Sequence, residues 1–279
     1  MGGERLDEPG AASVSPAATA PRWHRFDPVM VSLAFTLAAS LLFLLVPQID
    51  TWFSGLFYLP GNGFPIGLLR ASTGLRDIGT WLVRIAVGLI LASLLIKLAL
   101  PDRRSLIRPS ISLFLLTSLV AGPGIVVNLL LKNLWGRPRP LSIALFSGDL
   151  PFVGVWHVAD YCATNCSFVS GEASAAAWLV ACALIAPPAW RPAAVRVLIV
   201  LAALLSLNRI AVGAHFLSDV VIGWGVTALV LAIAYRYLVA HPPALLTDAA
   251  LERVGALLGR RLRGVFRRQS GKAEKPRPA

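Results

Sequence analysis

Lys132, Arg139 and Arg209 are cations at or near the ends of long apolar stretches, and two further segments join them. One is Ser170-Gly171-Glu172; the other places His215 six residues after Arg209 and Asp219 four residues after that. Ionisable side chains at membrane depth are costly, so a cluster of them beside apolar segments is a candidate site. A Ser-Gly pair opening a helix offers a hydroxyl and unpaired backbone N–H groups, which suit an anion. If 215–219 is helical, His215 and Asp219 share a face. The carboxylate then accepts from one imidazole nitrogen and leaves the other free as nucleophile, base or metal ligand. The set matches phosphoryl transfer: cations and N–H groups hold the oxygens, His215 attacks phosphorus in line, and an acid protonates the departing oxygen. Glu172 is the first candidate for that acid and His157 the second. No further His or carboxylate cluster stands at metal-ligand spacing.

Each residue alone has a plainer reading. A single Lys or Arg at a helix end usually snorkels to the headgroups. Ser170 or Ser167 would serve as an ordinary N-cap, with Glu172 favourable to the helix dipole. The weakness of these readings is the company the residues keep.

The elements that must position them are membrane helices. The 279 residues are 56% hydrophobic and only 14% charged, whereas a water-soluble domain needs roughly 25% charged residues to cover its surface. Mean hydropathy is +0.70, which excludes intrinsic disorder along with a conventional soluble enzyme. About 20 apolar residues span the bilayer core. Stretches of about that size run over 29–47, 79–100, 110–131, 171–187, 193–208 and 219–240. The expected fold is an all-α, polytopic membrane bundle of six transmembrane helices over residues 26–240. A disordered tail over 1–25 precedes it, and a basic amphipathic or disordered cytoplasmic tail over 241–279 follows. The fourth and fifth stretches are short and Ala-rich, a composition that favours close helix packing over lipid exposure.

The net charge of +12 would suggest nucleic acid in a soluble protein; in a membrane protein its sidedness matters more. With the N-terminus inside, the cytoplasmic side receives Arg5, Arg22, Arg25, Arg103, Arg104, Arg108, Arg191, Arg196 and the basic tail from Arg236 onward. That distribution obeys the positive-inside rule with both termini cytoplasmic. The few outer cations include Arg70, Arg76, Arg137 and the cluster named above. Aromatic residues from Trp52 to Phe64, broken by Pro60 and Gly61, suit the interfacial zone. In the tail, Leu251, Val254, Leu258, Leu262 and Val265 recur at helical spacing opposite Arg253, Arg260, Arg263 and Arg267. This reads either as an amphipathic helix drawn to the anionic cytoplasmic leaflet or as a solvated charged tail.

Taken in order, Lys132 with Arg139-Pro140, then Ser170-Gly171 and an acid, then Arg209, His215 and Asp219 resemble the type 2 phosphatidic acid phosphatase family. Its three-part signature reads KX6RP, PSGH and SRX5HX2-3D. The first part matches in full; in the third, Asn208 stands for Ser. The second departs, with Val169 for Pro and Glu172 for His, the residue that in the family is the general acid. The variant running from Ser167 to Glu172 is most similar to bacterial lipid A 4'-phosphatase relatives. The resemblance implies a lipid phosphatase of the bacterial inner membrane with its site facing the periplasm, reacting through a phosphohistidine at His215 without a metal. Partners would be a lipid phosphate and membrane lipids, and no nucleic acid. Lipid A phosphate, undecaprenyl diphosphate and phosphatidylglycerol phosphate are candidate substrates, and a lipid-phosphate binder or transporter without chemistry is the alternative of another class. Cys162 and Cys166, just before the Ser-Gly-Glu segment, would form a disulfide or stay apart in an oxidising periplasm, while Cys182 reads as a core residue.

Overall fold

The computed structural model describes residues 27–273, with side chains as far as Val265. The tail expected over 1–25 lies outside the described residues. The elements are α1 (Pro28–Leu45), a short α2 (Gln48–Gly55), α3 (Arg70–Ala99), α4 (Pro109–Leu134), α5 (Gly171–Ile185), α6 (Pro188–Ala211), α7 (Leu217–Ala240) and α8 (Asp248–Ala273). The described residues contain no strand, only isolated bridges such as Leu59 with Gly63.

Helix starts follow local chemistry. The Asp27 carboxylate accepts from the Val29 N–H at 2.9 Å, and Pro28 fills the first turn, where no N–H is needed. Pro109 opens α4 in the same way. Beyond Leu119 this helix widens into π-helical turns over Val120–Leu131, around Pro123, which has no N–H to give.

Helices α1, α3, α4, α6 and α7 are long and apolar enough to cross a bilayer. Of the six expected spans, α5 falls short of that length. It is the inner helix: Ala173, Ala176 and Trp178 are buried, and it packs on α6 and α7. A helix surrounded by protein need not present a long apolar face to lipid. Small residues permit the packing. A Cβ on Gly223 of α7 would lie 3.0 Å from Ser174 Oγ of α5, and one on Gly225 would lie 2.5 Å from Thr36 Oγ1 of α1.

Helix α3 begins at Arg70, well before the apolar run over 79–100. Arg70 and Arg76, expected in an outer loop, therefore lie on its first two turns. The aromatic stretch before it forms α2 and tight turns, with Tyr58, Phe64 and Phe146 in mutual ring contact.

After α4 the chain turns back at Gly136, in the left-handed region at φ +61°. A Cβ there would fall 1.7 Å from the Ala159 carbonyl oxygen. The loop over 135–170 then lies against the ends of α4 and α7. Cys166 N–H donates to the Lys132 carbonyl, Ser167 N–H to the Arg137 carbonyl and Ser170 N–H to the Asp219 carbonyl. Cys162 and Cys166 are joined in a disulfide. Cys182 is half-buried and packs against the core around Trp178.

At the opposite end, α8 docks on the turn between α3 and α4. Glu252 pairs with Lys97 at 2.5 Å and accepts from the Ser105 N–H, and Asp248 pairs with Arg108 and caps the Ser110 N–H. Val254, Leu257, Leu258, Leu262 and Val265 of α8 are exposed.

Candidate functional site

Four helix ends meet at one end of the bundle. The last turn of α4 brings Lys132, the last turn of α6 brings Arg209, the first turn of α5 brings Glu172, and the early turns of α3 bring Arg76. These four line one cleft of about 350 Å³, floored by Gly79, Asn128, Ala175 and Leu205. Arg139 is a further charged neighbour of Lys132 and donates to the Asn165 carbonyl at 2.9 Å. Helix α5 comes this close to α4 because residue 171 is glycine: a Cβ there would fall 2.2 Å from Asn128 Oδ1. Ser170 caps α5 through the Ala173 N–H at 3.3 Å, while the other first-turn N–H groups have no intrahelical acceptor.

Glu172 does not stand free. Arg76 Nε donates to its Oε1 at 2.8 Å, and Arg209 Nε is ion-paired with its Oε2. Arg76 was missed in the sequence because it precedes the apolar run.

His215 is buried beside these cations, but not on a helix. It lies before α7, whose first turn is fixed by Asp219 Oδ2 accepting from the Phe216 N–H at 2.8 Å. The expected hydrogen bond to Asp219 is not made, since Nδ1 and Oδ2 are 3.8 Å apart. Nδ1 instead lies 2.8 Å from the Ser167 carbonyl oxygen. A carbonyl only accepts, so Nδ1 carries the proton and Nε2 keeps its lone pair. Burial pushes the imidazole below the ordinary histidine range, with Lys132 and Arg209 acting in the same direction; the Asp219 carboxylate opposes them.

Asp219 belongs to a second cluster that spacing did not reveal. The Arg137 guanidinium, wholly buried, donates to Asp219 at 2.6 Å, Asp50 at 2.8 Å, Ser218 Oγ at 2.9 Å and the Val153 carbonyl at 2.7 Å. Phe216 lies against its face, 4.4 Å from Cζ to ring centre. Ser167 Oγ donates to the other Asp219 oxygen at 2.5 Å. Burial raises Asp50 above the usual carboxylate range even with Arg137 beside it. This knot ties α2, the loop after α4 and the start of α7 together, and so fixes the backbone on either side of His215. Its available signals were an acid and an arginine in otherwise apolar or aromatic surroundings.

His157 is not brought to the cations. It lines a separate hollow with Phe43, Leu44, Pro47 and Phe152, and its Nδ1 lies 3.0 Å from the Val155 carbonyl oxygen. Among the described residues no group of three or more His, Cys, Asp or Glu side chains is arranged to hold a metal.

Fold and site together define a multi-pass helical membrane protein with a polycationic cleft next to a buried, oriented histidine. Residues 111–242 match the model of the PAP2 superfamily. A lipid A 4'-phosphatase of Francisella tularensis subsp. novicida is 32% identical over 203 residues, 69% of this chain and 87% of that protein. The chain belongs to the PAP2 superfamily. Lipid A 4'-phosphatases of Rhizobium leguminosarum and Rhizobium etli are each 45% identical over 109 residues, 39% of this chain. The match spans about half the length of these relatives, 47% and 42% respectively. No solved structure is significantly similar to the chain.

Proposed function

We propose that this protein is a multi-pass phosphatase of the bacterial inner membrane that hydrolyses a phosphomonoester or diphosphate of a lipid, with a lipid A phosphate as the favoured substrate. The observation that carries the reading is the buried His215, its Nδ1 proton held by the Ser167 carbonyl and its Nε2 lone pair left free near Lys132 and Arg209. The names of the three relatives favour lipid A over other lipid phosphates.

Lys132, Arg139, Arg209 and the N–H groups after Ser170 and Gly171 hold the phosphoryl oxygens. Nε2 of His215 attacks phosphorus; the N–P bond forms as the bond from phosphorus to the lipid oxygen breaks. Asp219, 3.8 Å from Nδ1, steadies the imidazolium charge, and Ser167 orients the ring. Water then attacks the phosphohistidine, releasing phosphate and restoring His215.

Glu172 gives its proton to the departing oxygen. In the resting site its carboxylate is engaged by Arg76 and Arg209. A phosphate arriving at Arg209 competes for that guanidinium and sets a second anion beside the carboxyl, the condition under which a carboxyl carries a proton. A substrate bound with one proton on its phosphate supplies it.

The same reading has the chain crossing the membrane six times, with α5 as the inner crossing, both termini cytoplasmic and the cleft facing the periplasm. The basic, apolar-striped α8 then meets the anionic cytoplasmic leaflet.

The test is phosphate release by purified protein from lipid A, undecaprenyl diphosphate, phosphatidylglycerol phosphate and phosphatidic acid. Release fastest from lipid A is expected. Binding of these lipids without release from any of them would overturn the enzyme reading in favour of a binder or transporter.

A further inference from the structure

The cleft continues below its charged end, and its lining changes in layers. Arg76, Lys132, Glu172 and Arg209 form the first layer. One turn deeper on the same four helices come Gly79 and Thr80, Asn128, Ala175 and Ala176, and Leu205. One turn deeper again only α3 contributes, with Val83 and Arg84. Small residues in the second layer leave room for something slender, and the third layer opens along α3, where Trp81 and Arg84 are exposed.

Arg84 is the anomaly in this lining. It sits mid-way along a helix that is otherwise apolar enough to cross a bilayer. Among the described residues no carboxylate pairs with it. Its guanidinium stacks on Trp81, one turn back toward Arg76, with Cζ 5.0 Å from the ring centre. The side chain therefore leans toward the charged end of the cleft, as long helical side chains do. Eight residues at 1.5 Å each separate Arg76 and Arg84 by about 12 Å along α3. Among the described residues this exposed fork of N–H donors meets no acceptor, which leaves it open to acceptors on a bound lipid.

We infer that Arg84 is a subsite for the ester or amide carbonyls of an acylated lipid phosphate. With the phosphate among Lys132, Arg139 and Arg209, the linkage region descends past Gly79 and Ala176. The first acceptors beneath the phosphate, the acyl carbonyls, then meet the guanidinium. This rests on the phosphatase reading and narrows it: acylated lipids have such carbonyls, and polyprenyl phosphates do not. Arg84 is a specificity residue and touches no reacting atom.

The experiment compares diacyl phosphatidic acid with its dialkyl ether analogue, which differs only in lacking the carbonyls, using purified full-length wild type and Arg84→Gln in detergent. Hydrolysis of water-soluble p-nitrophenyl phosphate serves as the measure of intact machinery. Wild type should show a KM about tenfold lower for the diacyl lipid, the scale of hydrogen bonds to a charged donor. Arg84→Gln should bring that ratio close to one while leaving p-nitrophenyl phosphate turnover unchanged. Arg84→Lys, which keeps the charge and loses the fork, should retain part of the preference. An equal diacyl-to-dialkyl ratio in wild type and Arg84→Gln would overturn the subsite and leave the phosphatase reading standing. Absence of phosphate release by wild type from every substrate would remove the phosphatase reading first.

Discussion

Both ends of α3 carry a basic residue paired with a carboxylate from a later helix, and the two pairs stand in opposite surroundings. Near Ala99, Lys97 meets Glu252, and around it Arg108 meets Asp248 and Arg260 meets Asp102. Each of these three cations has its own acid, and backbone N–H groups take up the remaining carboxylate oxygens of Glu252 and Asp248, while Arg103 and Arg104 in the same turn have no ion pair among the described residues and stand exposed. Near Arg70, a single Glu172 is shared by Arg76 and Arg209, while Lys132 and Arg139 have no carboxylate partner among the described residues. The first end is a dock between helices whose surplus cations stand exposed. The second holds its surplus cations Lys132 and Arg139 half-buried, where an incoming anion balances them, beside His215, which is buried with a free Nε2. Where the surplus charge sits, half-buried or exposed, separates a binding site from a joint more than its amount does.

The strongest way to break this comparison is to act on the end with the half-buried cations. His215→Ala should lower phosphate release by at least about a thousandfold, as loss of a nucleophile does, and Arg209→Gln by about a hundredfold, as loss of an oxyanion donor does. Steady-state release on the best lipid measures both, and residual turnover near wild type in His215→Ala would remove it as nucleophile. Next in size is the buried knot. Arg137→Leu leaves Asp50 and Asp219 without their shared cation and should cost about 3–5 kcal/mol, the penalty for an uncompensated buried charge. Thermal unfolding in detergent reads this as a lowered Tm; an unchanged Tm would mean the knot is not what holds the His215 loop. Smaller again is the pH effect. Attack needs neutral His215, and its folded pKa lies below the ordinary value, so the neutral form persists to more acid pH. The acid limb of kcat/KM should therefore fall below about pH 6.5, the unperturbed histidine value. A limb above that pH would mean that Asp219, which favours the charged ring, outweighs burial.

The sequence carried the parts of the site that are set by spacing within one segment. Lys132 with Arg139, and Arg209 with His215, sit at fixed offsets around helix ends and were readable without coordinates. Arg76 was not. The first turns of α3, from Arg70, precede its apolar run, so a hydropathy window begins the helix late. The His215–Asp219 hydrogen bond was expected from a four-residue offset that works only inside a helix. Gly213 at φ +68° and the Asp219 cap on Phe216 start α7 after His215 instead, and the ring turns to Ser167, 48 residues away in sequence. Asp50 and Arg137 are 87 residues apart, and no local period links them. Five long spans were legible for the same reason that α5 was ambiguous: lipid demands a long apolar run, and an inner helix escapes that demand.

The smallest effect belongs to the docked end. Glu252 and Asp248 both lie below the ordinary carboxylate range. Burial works against this and is outweighed by Lys97 and the Ser105 N–H at Glu252, and by the Ser110 N–H and Arg108 at Asp248. A carboxylate whose pKa is lower in the folded state contributes stability that is present above its unfolded value. That contribution is lost as pH falls through the folded one. Docking of α8 should therefore hold at neutral pH and loosen below about pH 4, which hydrogen exchange of α8 amides would follow. At neutral pH, Glu252→Gln should raise exchange in α8 while leaving p-nitrophenyl phosphate turnover within about twofold, because partly exposed pairs contribute on the order of 1 kcal/mol or less. If Glu252→Gln instead cut turnover as deeply as Arg209→Gln, the two ends of α3 would be coupled. The helix would then carry the state of its dock to Arg76, and the separation between joint and site would fail.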